Sequence, residues 1–320
     1  MWKVLEKEFE GKVMRDKKKM IKRILTSNDW RIRYILATPI GRALPDKIYV
    51  RLKYRAFLHK KIDLQTPFTF NEKLQWLKLY DRNPLYTTLV DKYAVRQYIK
   101  EKIGEEYLIP LIGGPWKSVD EIPFDTLPNQ FVLKTTHDSG GVVICNDKKN
   151  FDVDAAKRKL HKSLKNNFYY SGREWPYKNV PPQIIAEQYL ENNGKGLIDY
   201  KFFCFDGIVK FLYVSQGLEN HETAQISFVD LEWKEEAFKR KDYKAFQNLP
   251  DKPSRFHDML EIASKLCQGF SFIRVDLYEV NNKIYFSELT LYPCSGFLPF
   301  EPDEYDAIIG DMLHLPEKKK

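Results

Sequence analysis

No run of about 18 apolar residues occurs anywhere in the chain, which argues against a membrane-spanning helix. The opening stretch, MWKVLEKEFEGKVMRDKKKM, is charged throughout and has no apolar core, so a secretory leader is not expected. The four cysteines, at 145, 204, 267 and 294, form no CxxC pair. Their scatter argues against a zinc knuckle and for buried thiols in a reducing cytoplasm. Zinc-finger spacing and an aromatic strand of the RNA-binding kind are both missing, so nucleic acid is not an expected partner. There is no internal repeat, and the only low-complexity stretch is the terminal Lys318-Lys319-Lys320. The first 90 residues lack a strand–glycine-turn–helix unit, which excludes a dinucleotide-type domain there.

What is present describes a folded protein. The 320 residues, 43% hydrophobic and 14% aromatic, are enough for a sizeable core and two or three compact units. The net charge of +8 is unevenly spread, because residues 1–61 hold 18 Lys/Arg against 6 Asp/Glu. The remaining 259 residues therefore sum to −4, so the basicity belongs to an N-terminal segment. Two readings of that segment stand: a solvated helical arm, or a peripheral contact with an anionic membrane. WRIRYIL (30–36) and YVRLKYRAFL (49–58) interleave cations with aromatic and aliphatic residues, as an interfacial helix would.

The periodicity predicts helices over 1–25, over 46–61 after Pro45, from a Thr69/Glu72 capping box onward, and over 89–103. After Tyr107 the texture becomes short β-rich runs. FDG (205–207) and VNNK (280–283) read as hairpin turns, and helices interrupt at 152–167 and 253–269. That order predicts an α+β protein with antiparallel sheets behind a mostly helical, basic N-terminal region.

Three stretches carry candidate chemistry. In FVLKTTHDSGGVVI (131–144) a strand ends at Lys134, and a turn through Ser139, Gly140 and Gly141 leads into a second apolar run. It is either a surface hairpin with a solvated lysine or a loop whose N–H groups close over phosphates that the lysine neutralises. In FIRVDLYEVNNKIYFSELTLYP the VNNK turn brings Asp276 and Glu288 onto adjacent strands, and Arg274 shares the face of Asp276. Two carboxylates so close need a cation between them. Either Mg²⁺ or an arginine salt-bridge cluster supplies it. In AEQYLENN (186–193) Glu187 ends an apolar strand before a polar Asn-Asn-Gly hinge that could present backbone groups to an adenine edge. Asp91-Lys92, at a helix start, is by itself most simply a solvated pair.

Together FNEKLQWLKLYDRNPLYTTLVDKYAVRQYI, FVLKTTHDSGG, IIAEQYL, DYKFFCFDG and FIRVDLYEVNNKIYFSELTLYP resemble the TupA-like branch of the ATP-grasp ligases over roughly residues 45–315. That branch is named for a teichuronopeptide biosynthesis protein and accompanies genes for bacterial surface polysaccharides. The resemblance implies an ATP-grasp fold in which two α+β subdomains clamp ATP. Residues 1–90 would precede it, and 91–320 would form it, with 91–188 as first lobe and 189–320 as second. It implies that Lys92 and Lys134 contact the phosphates of ATP and that Ser139, Gly140 and Gly141 close over them. Glu187, Gln188, Tyr189 and Leu190 would hold adenine, Asp276 and Glu288 would bind Mg²⁺, and Arg274 would face the transferred phosphoryl group. One position departs from the superfamily pattern: Thr290 stands where many members place an Asn metal ligand. The implied activity is an ADP-forming carboxylate–amine ligase in the cytoplasm, or peripheral at the inner face of the membrane. Its implied substrates are a uronic acid, free or nucleotide-linked, and an amine or amino acid. A glycosyltransferase, resting on Asp152-Val153-Asp154, a sugar kinase on the same fold, and a non-catalytic assembly protein are the rival readings. His137 is a candidate loop contact, and His221 reads equally as a surface residue.

Overall fold

The computed structural model describes residues 23–192, 196–218 and 222–317. Most of the helix expected over 1–25, Asn193-Gly194 of the expected hinge, His221 and the terminal lysines lie outside them.

Helices come first: α1 (Asn28–Ala37), α2 (Pro39–Ala43), α3 (Asp46–Leu58), α4 (Phe70–Tyr80), α5 (Leu85–Val90) and α6 (Val95–Lys102). Side chains of Ser27 and Thr38 accept the free N–H groups at the starts of α1 and α2. Thr69 and Glu72 form the expected capping box on α4. The single helix expected over 89–103 is instead two. Asp91 breaks it, because its carboxylate accepts the N–H groups of Tyr93 (2.8 Å) and Ala94 (3.2 Å) in place of helical bonding.

The first sheet is antiparallel, ordered β1-β4-β2-β3, from β1 (Leu111–Trp116), β2 (Phe131–Thr135), β3 (Val142–Cys145) and β4 (Ile184–Gln188). Helix α7 (Val153–Leu164) covers one face, where Phe131, Leu133, Ile184 and Ala186 meet Ala156 and Leu160. Strand alternation sends Lys134 and Glu187 to the opposite face. A short helix, α8 (Tyr169–Gly172), lies between α7 and β4.

The second sheet runs β10-β9-β5-β6-β7, from β5 (Ile198–Phe205), β6 (Ile208–Gln216), β7 (Gln225–Val229), β9 (Phe272–Val280) and β10 (Lys283–Thr290). A small ribbon pairs β8 (Lys239–Arg240) with β11 (Phe300–Glu301). Both predicted hairpin turns are present. Asp206-Gly207 and Asn281-Asn282 have positive φ at both central positions, the geometry that matches strand twist. On one face Phe202 meets Phe256 of α9 (Phe256–Leu266), with ring centroids 6.1 Å apart. On the other, Phe70 of α4 sits 5.1 Å from Phe272 and 5.7 Å from Phe205, so the N-terminal helices roof this sheet. Val95, Ile99 and Leu108 join the same core.

All four cysteines are free. Cys145, Cys204 and Cys267 are buried as expected, but Cys294, in a left-handed turn with Ser295, is partly exposed. Among the described residues no helix is long and apolar enough to cross a membrane.

Asn71 fastens the roof to the C-terminal end. Its amide donates to the Leu298 carbonyl (2.8 Å) and to Asp306 of α10 (Tyr305–Asp311; 2.9 Å), and accepts the Leu298 N–H (2.7 Å). Asn71→Leu strands the Leu298 N–H and C=O in the interior, so it should cost about 3 kcal/mol. The expected readout is a lower urea midpoint at unchanged slope. A wild-type midpoint would contradict the assignment.

Candidate active site

A cleft of about 190 Å³ opens between the two sheets. Lys92, Lys134 and Glu187 line its first-sheet side, and Tyr278, Phe286 and Glu288 its second-sheet side. Four of the residues singled out in the sequence therefore share one cavity.

On the first-sheet side, Lys134 Nζ lies 2.6 Å from Glu187 Oε2. Arg96 approaches the other oxygen of Glu187 at 3.3 Å and donates to the Ile109 carbonyl at 2.8 Å. The hairpin after Lys134 is wound around Asp138. That carboxylate accepts the Thr135 hydroxyl (2.5 Å), the Ser163 hydroxyl and the Gly141 N–H (3.1 Å). Burial would raise the Asp138 pKa, but Lys92 and these hydrogen bonds outweigh it and hold the carboxyl below its ordinary value. Lys92 donates to the Asp138 carbonyl, which ties the Asp91 break to the loop. The Gly141 N–H is thus committed to the loop itself, while Ser139 is exposed and Gly140 holds a φ of 128°. Gly141 admits no side chain, since a Cβ would fall 1.8 Å from the Thr135 hydroxyl. His137, with Nε2 3.1 Å from the Asn166 carbonyl, ties the loop to the chain just past α7.

Past Glu187 the strand ends. β4 lies between β1 and β2, and Glu187 pairs with both Leu111 and Val132. The Gln188 N–H goes to the Pro110 carbonyl (3.0 Å). Tyr189 and Leu190 follow beyond the ladder, with Leu190 buried against Ile109 and Val280.

On the second-sheet side, Glu288 stands directly across from Asp276, and Thr290 from Arg274, whereas an unbroken VNNK hairpin would set Ser287 opposite Asp276. A register shift between Phe286 and Glu288 re-aims this part of the strand. Asp276 is fully buried. It receives Arg274 Nε at 2.7 Å and Nη2 at 2.6 Å, and Lys201 Nζ at 2.8 Å. Arg274 also reaches Glu288 (3.1 Å), the Thr290 hydroxyl (2.9 Å) and the Tyr213 hydroxyl (3.3 Å). Burial alone would raise the Asp276 pKa. The adjacent Arg274 and Lys201 charges override it and hold the carboxyl below its ordinary value. Lys201, also 3.1 Å from Asp199, is held above the ordinary lysine value by its two carboxylates despite burial.

Sequence reasoning missed Lys201, Asp199, Tyr213, Arg96 and Asp138. A signal for one was available: in DYKFFCF alternation puts Lys201 on the same face as Phe203 and Phe205, and a lysine in a buried strand needs a partner. The Asp152-Val153-Asp154 motif behind the glycosyltransferase reading begins α7, where Asp152 is the N-cap and accepts from the Ala155 N–H (2.8 Å).

The donor set was tested against Mg²⁺. The described residues contain no group of three or more His, Cys, Asp and Glu that could hold a metal alone. Mg²⁺ on a triphosphate needs only one or two carboxylates. Glu288, with a side chain 44% exposed, offers an oxygen to the cleft, and Asp276 lies behind the Arg274 guanidinium. Thr290 is engaged with Arg274 and Glu288. The hard oxygen of Glu288 fits such an ion, whereas both oxygens of fully buried Asp276 are engaged by Arg274 and Lys201.

None of the curated proteins matches this chain in sequence. Solved structures do match in shape. A D-alanine–D-alanine ligase from Bacillus anthracis complexed with ATP is 16% identical, over 76% of this chain and 66% of its own, with a TM-score of 0.39. An L-amino acid ligase from Bacillus licheniformis is 12% identical, over 78% and 57%, with a TM-score of 0.44. The chain thus spans about two thirds or less of those ligases' length. The family model described as TupA-like ATPgrasp matches residues 72–314, which takes in the roofing helix α4, both sheets and the whole cleft, and the chain belongs to that family.

Proposed function

We propose that the cleft binds ATP with Mg²⁺ and that the chain is an ATP-dependent carboxylate–amine ligase. The observation that carries this reading is the convergence of Lys92, Lys134, Glu187 and Glu288 on one cleft, with Arg274 behind it. Lys92 and Lys134 offset the charge of the triphosphate, and the Ser139-Gly140 turn excludes water above it. The adenine edge meets Glu187 and the backbone of Tyr189 and Leu190, which the β4 ladder leaves unused. Magnesium, held by Glu288 and joined by Asp276 where Arg274 gives way to it, would neutralise the phosphate oxygens.

In the reaction, an oxygen of the acceptor carboxylate takes the terminal phosphoryl group and ADP leaves. An amine then attacks the acyl carbon, inorganic phosphate departs, and an amide remains. Arg274 steadies the oxyanion formed in that attack. It is pre-aimed for this role, because Asp276, Glu288, Thr290 and Tyr213 hold its guanidinium from several sides. The substrate pair we propose is a uronic acid, free or nucleotide-linked, with an amino acid or simple amine, in bacterial surface-polysaccharide synthesis. The resemblance to the TupA-like branch supports it.

The test is ADP release from Mg-ATP across uronic acids and their nucleotide sugars, crossed with amino acids and amines, with mass spectrometry of the products. ADP formed only when both partners are present, with a product one water lighter than their sum, is expected. A phosphorylated product from a single acceptor would replace the ligase with a kinase. Two substitutions separate the roles of the lysines. Lys134→Met should lower kcat/KM for ATP by about 100-fold and cost less stability than the loss of Lys201, because Lys134 is partly exposed and Glu187 keeps Arg96. Lys201→Met removes a partner of fully buried Asp276 and should cost about 3 kcal/mol of stability. Equal effects on stability would contradict this division.

A further inference from the structure

Large hydrophobic side chains exposed to solvent are not spread evenly over the described residues. Leu25, Tyr34, Ile35, Ile40 and Ile48 fall within one short stretch of the basic segment, and Leu25 and Ile40 are 71% and 72% exposed. Exposed cations alternate with them: Arg31, Arg42, Lys47, Arg51 and Arg55.

The fold gathers these side chains. α1 and α3 lie antiparallel. The Arg33 guanidinium donates to the Ala56 carbonyl (2.6 and 3.0 Å), and His59 Nδ1 meets Asp29 at 2.9 Å, so the start of α1 is beside the end of α3. The end of α1 is therefore beside the start of α3, which puts Ile35 and Ile48 at the same end of the pair. α2 folds back on α1 so closely that a Cβ on Gly41 would lie 2.4 Å from the Ile35 carbonyl, which adds Ile40 to that end. On α3, Lys47, Ile48, Arg51 and Arg55 recur at helical spacing along the exposed side, while Tyr49, Val50, Lys53 and Tyr54 are buried on the other.

The surface is rigidly tied to the site. Arg173, with its side chain 1% exposed, donates to the carbonyls of Gly41, Arg42 and Leu44 at 2.9–3.1 Å. The adjacent residue, Glu174, accepts from Ser295, in the turn that follows β10.

We propose that the face of α1–α3 carrying Ile35, Ile40, Ile48, Arg31, Arg51 and Arg55 docks on an anionic lipid bilayer. The isoleucines enter the headgroup boundary and the guanidiniums meet lipid phosphates. A soluble polyanion would satisfy the arginines and leave the isoleucines in water. The exposed aliphatic side chains among the cations are what single out a bilayer. Docking in this way fixes the orientation of the cleft relative to the membrane. The inference does not depend on which acceptor the cleft uses.

The test is co-sedimentation of the full chain with phosphatidylglycerol and phosphatidylcholine vesicles at about 0.15 M salt. The variants are Arg51→Glu with Arg55→Glu, and Ile40→Asp with Ile48→Asp, and thermal unfolding verifies that each is folded. Binding to phosphatidylglycerol alone is expected. It should weaken by at least about 25-fold in the arginine pair, about fivefold for each cation lost and more for the two negative charges added, and weaken clearly in the isoleucine pair. No binding to phosphatidylglycerol, or wild-type binding by both folded variants, overturns the proposal. Binding that the isoleucine pair leaves intact and that heparin competes away also overturns it, in favour of a polyanion.

Discussion

The interaction on which the second sheet and its site depend is the buried charge of Asp276. A carboxylate with no exposed surface remains ionised only if cations reach it, and two do, Arg274 from its own strand and Lys201 from the next. That requirement sets β5 beside β9, with Lys201 paired to Asp276, and keeps both cations on the face that looks toward the cleft. The same guanidinium then reaches Glu288, Thr290 and Tyr213, so one desolvated ion pair positions the whole polar end of the sheet. The other end of that face is aromatic. Phe203, Phe205, Phe211 and Phe272 are packed under Phe70, and a polar working end adjoins a rigid apolar one.

The N-terminal helices do more than precede the sheets. α3 and α4 send Lys53 and Lys78 into the interior, where they donate to the carbonyls of Ser171, Gly172 and Ser295. Burial pushes the Lys78 pKa down, and nearby Glu174 opposes that shift. These lysines act as hydrogen-bond staples between the helical segment and two backbone stretches, one at the end of α8 and one in the turn after β10. The helical region also carries the basic, partly apolar outer surface.

Much of this was legible in the sequence where local rules decide structure. VNNK and FDG are turns whose residues tolerate positive φ, and VNNK puts Asp276 and Glu288 on adjacent strands. An unbroken hairpin would pair Asp276 with Ser287, and it is the bulge before Glu288, which the sequence does not signal, that turns Glu288 to face Asp276. Thr69 and Glu72 announce a helix start by their spacing. Lys134 before a small-residue turn was legible as a candidate, and its placement in the cleft follows from alternation on β2. What was hidden depended on non-local pairing. Nothing near Lys201 in sequence reveals that its partner is 75 residues away. Asp138 read as one polar turn residue among several, although its carboxylate organises the whole loop through Thr135 and Ser163. The break at Asp91 was masked because helix propensity is favourable on both sides, and the competing bonds to Tyr93 and Ala94 settled it. Cys294 is partly exposed in a left-handed turn that composition does not signal.

The central claim is that this cleft is built for a nucleotide carried with a divalent ion. Calorimetric titration of ATP into the full chain, with Mg²⁺ and with the ion chelated, tests it most directly. The account predicts saturable one-to-one binding that weakens sharply when Mg²⁺ is removed, because the exposed Glu288 carboxylate then faces the triphosphate with no ion between them. Absence of ATP binding in the presence of Mg²⁺ would contradict it.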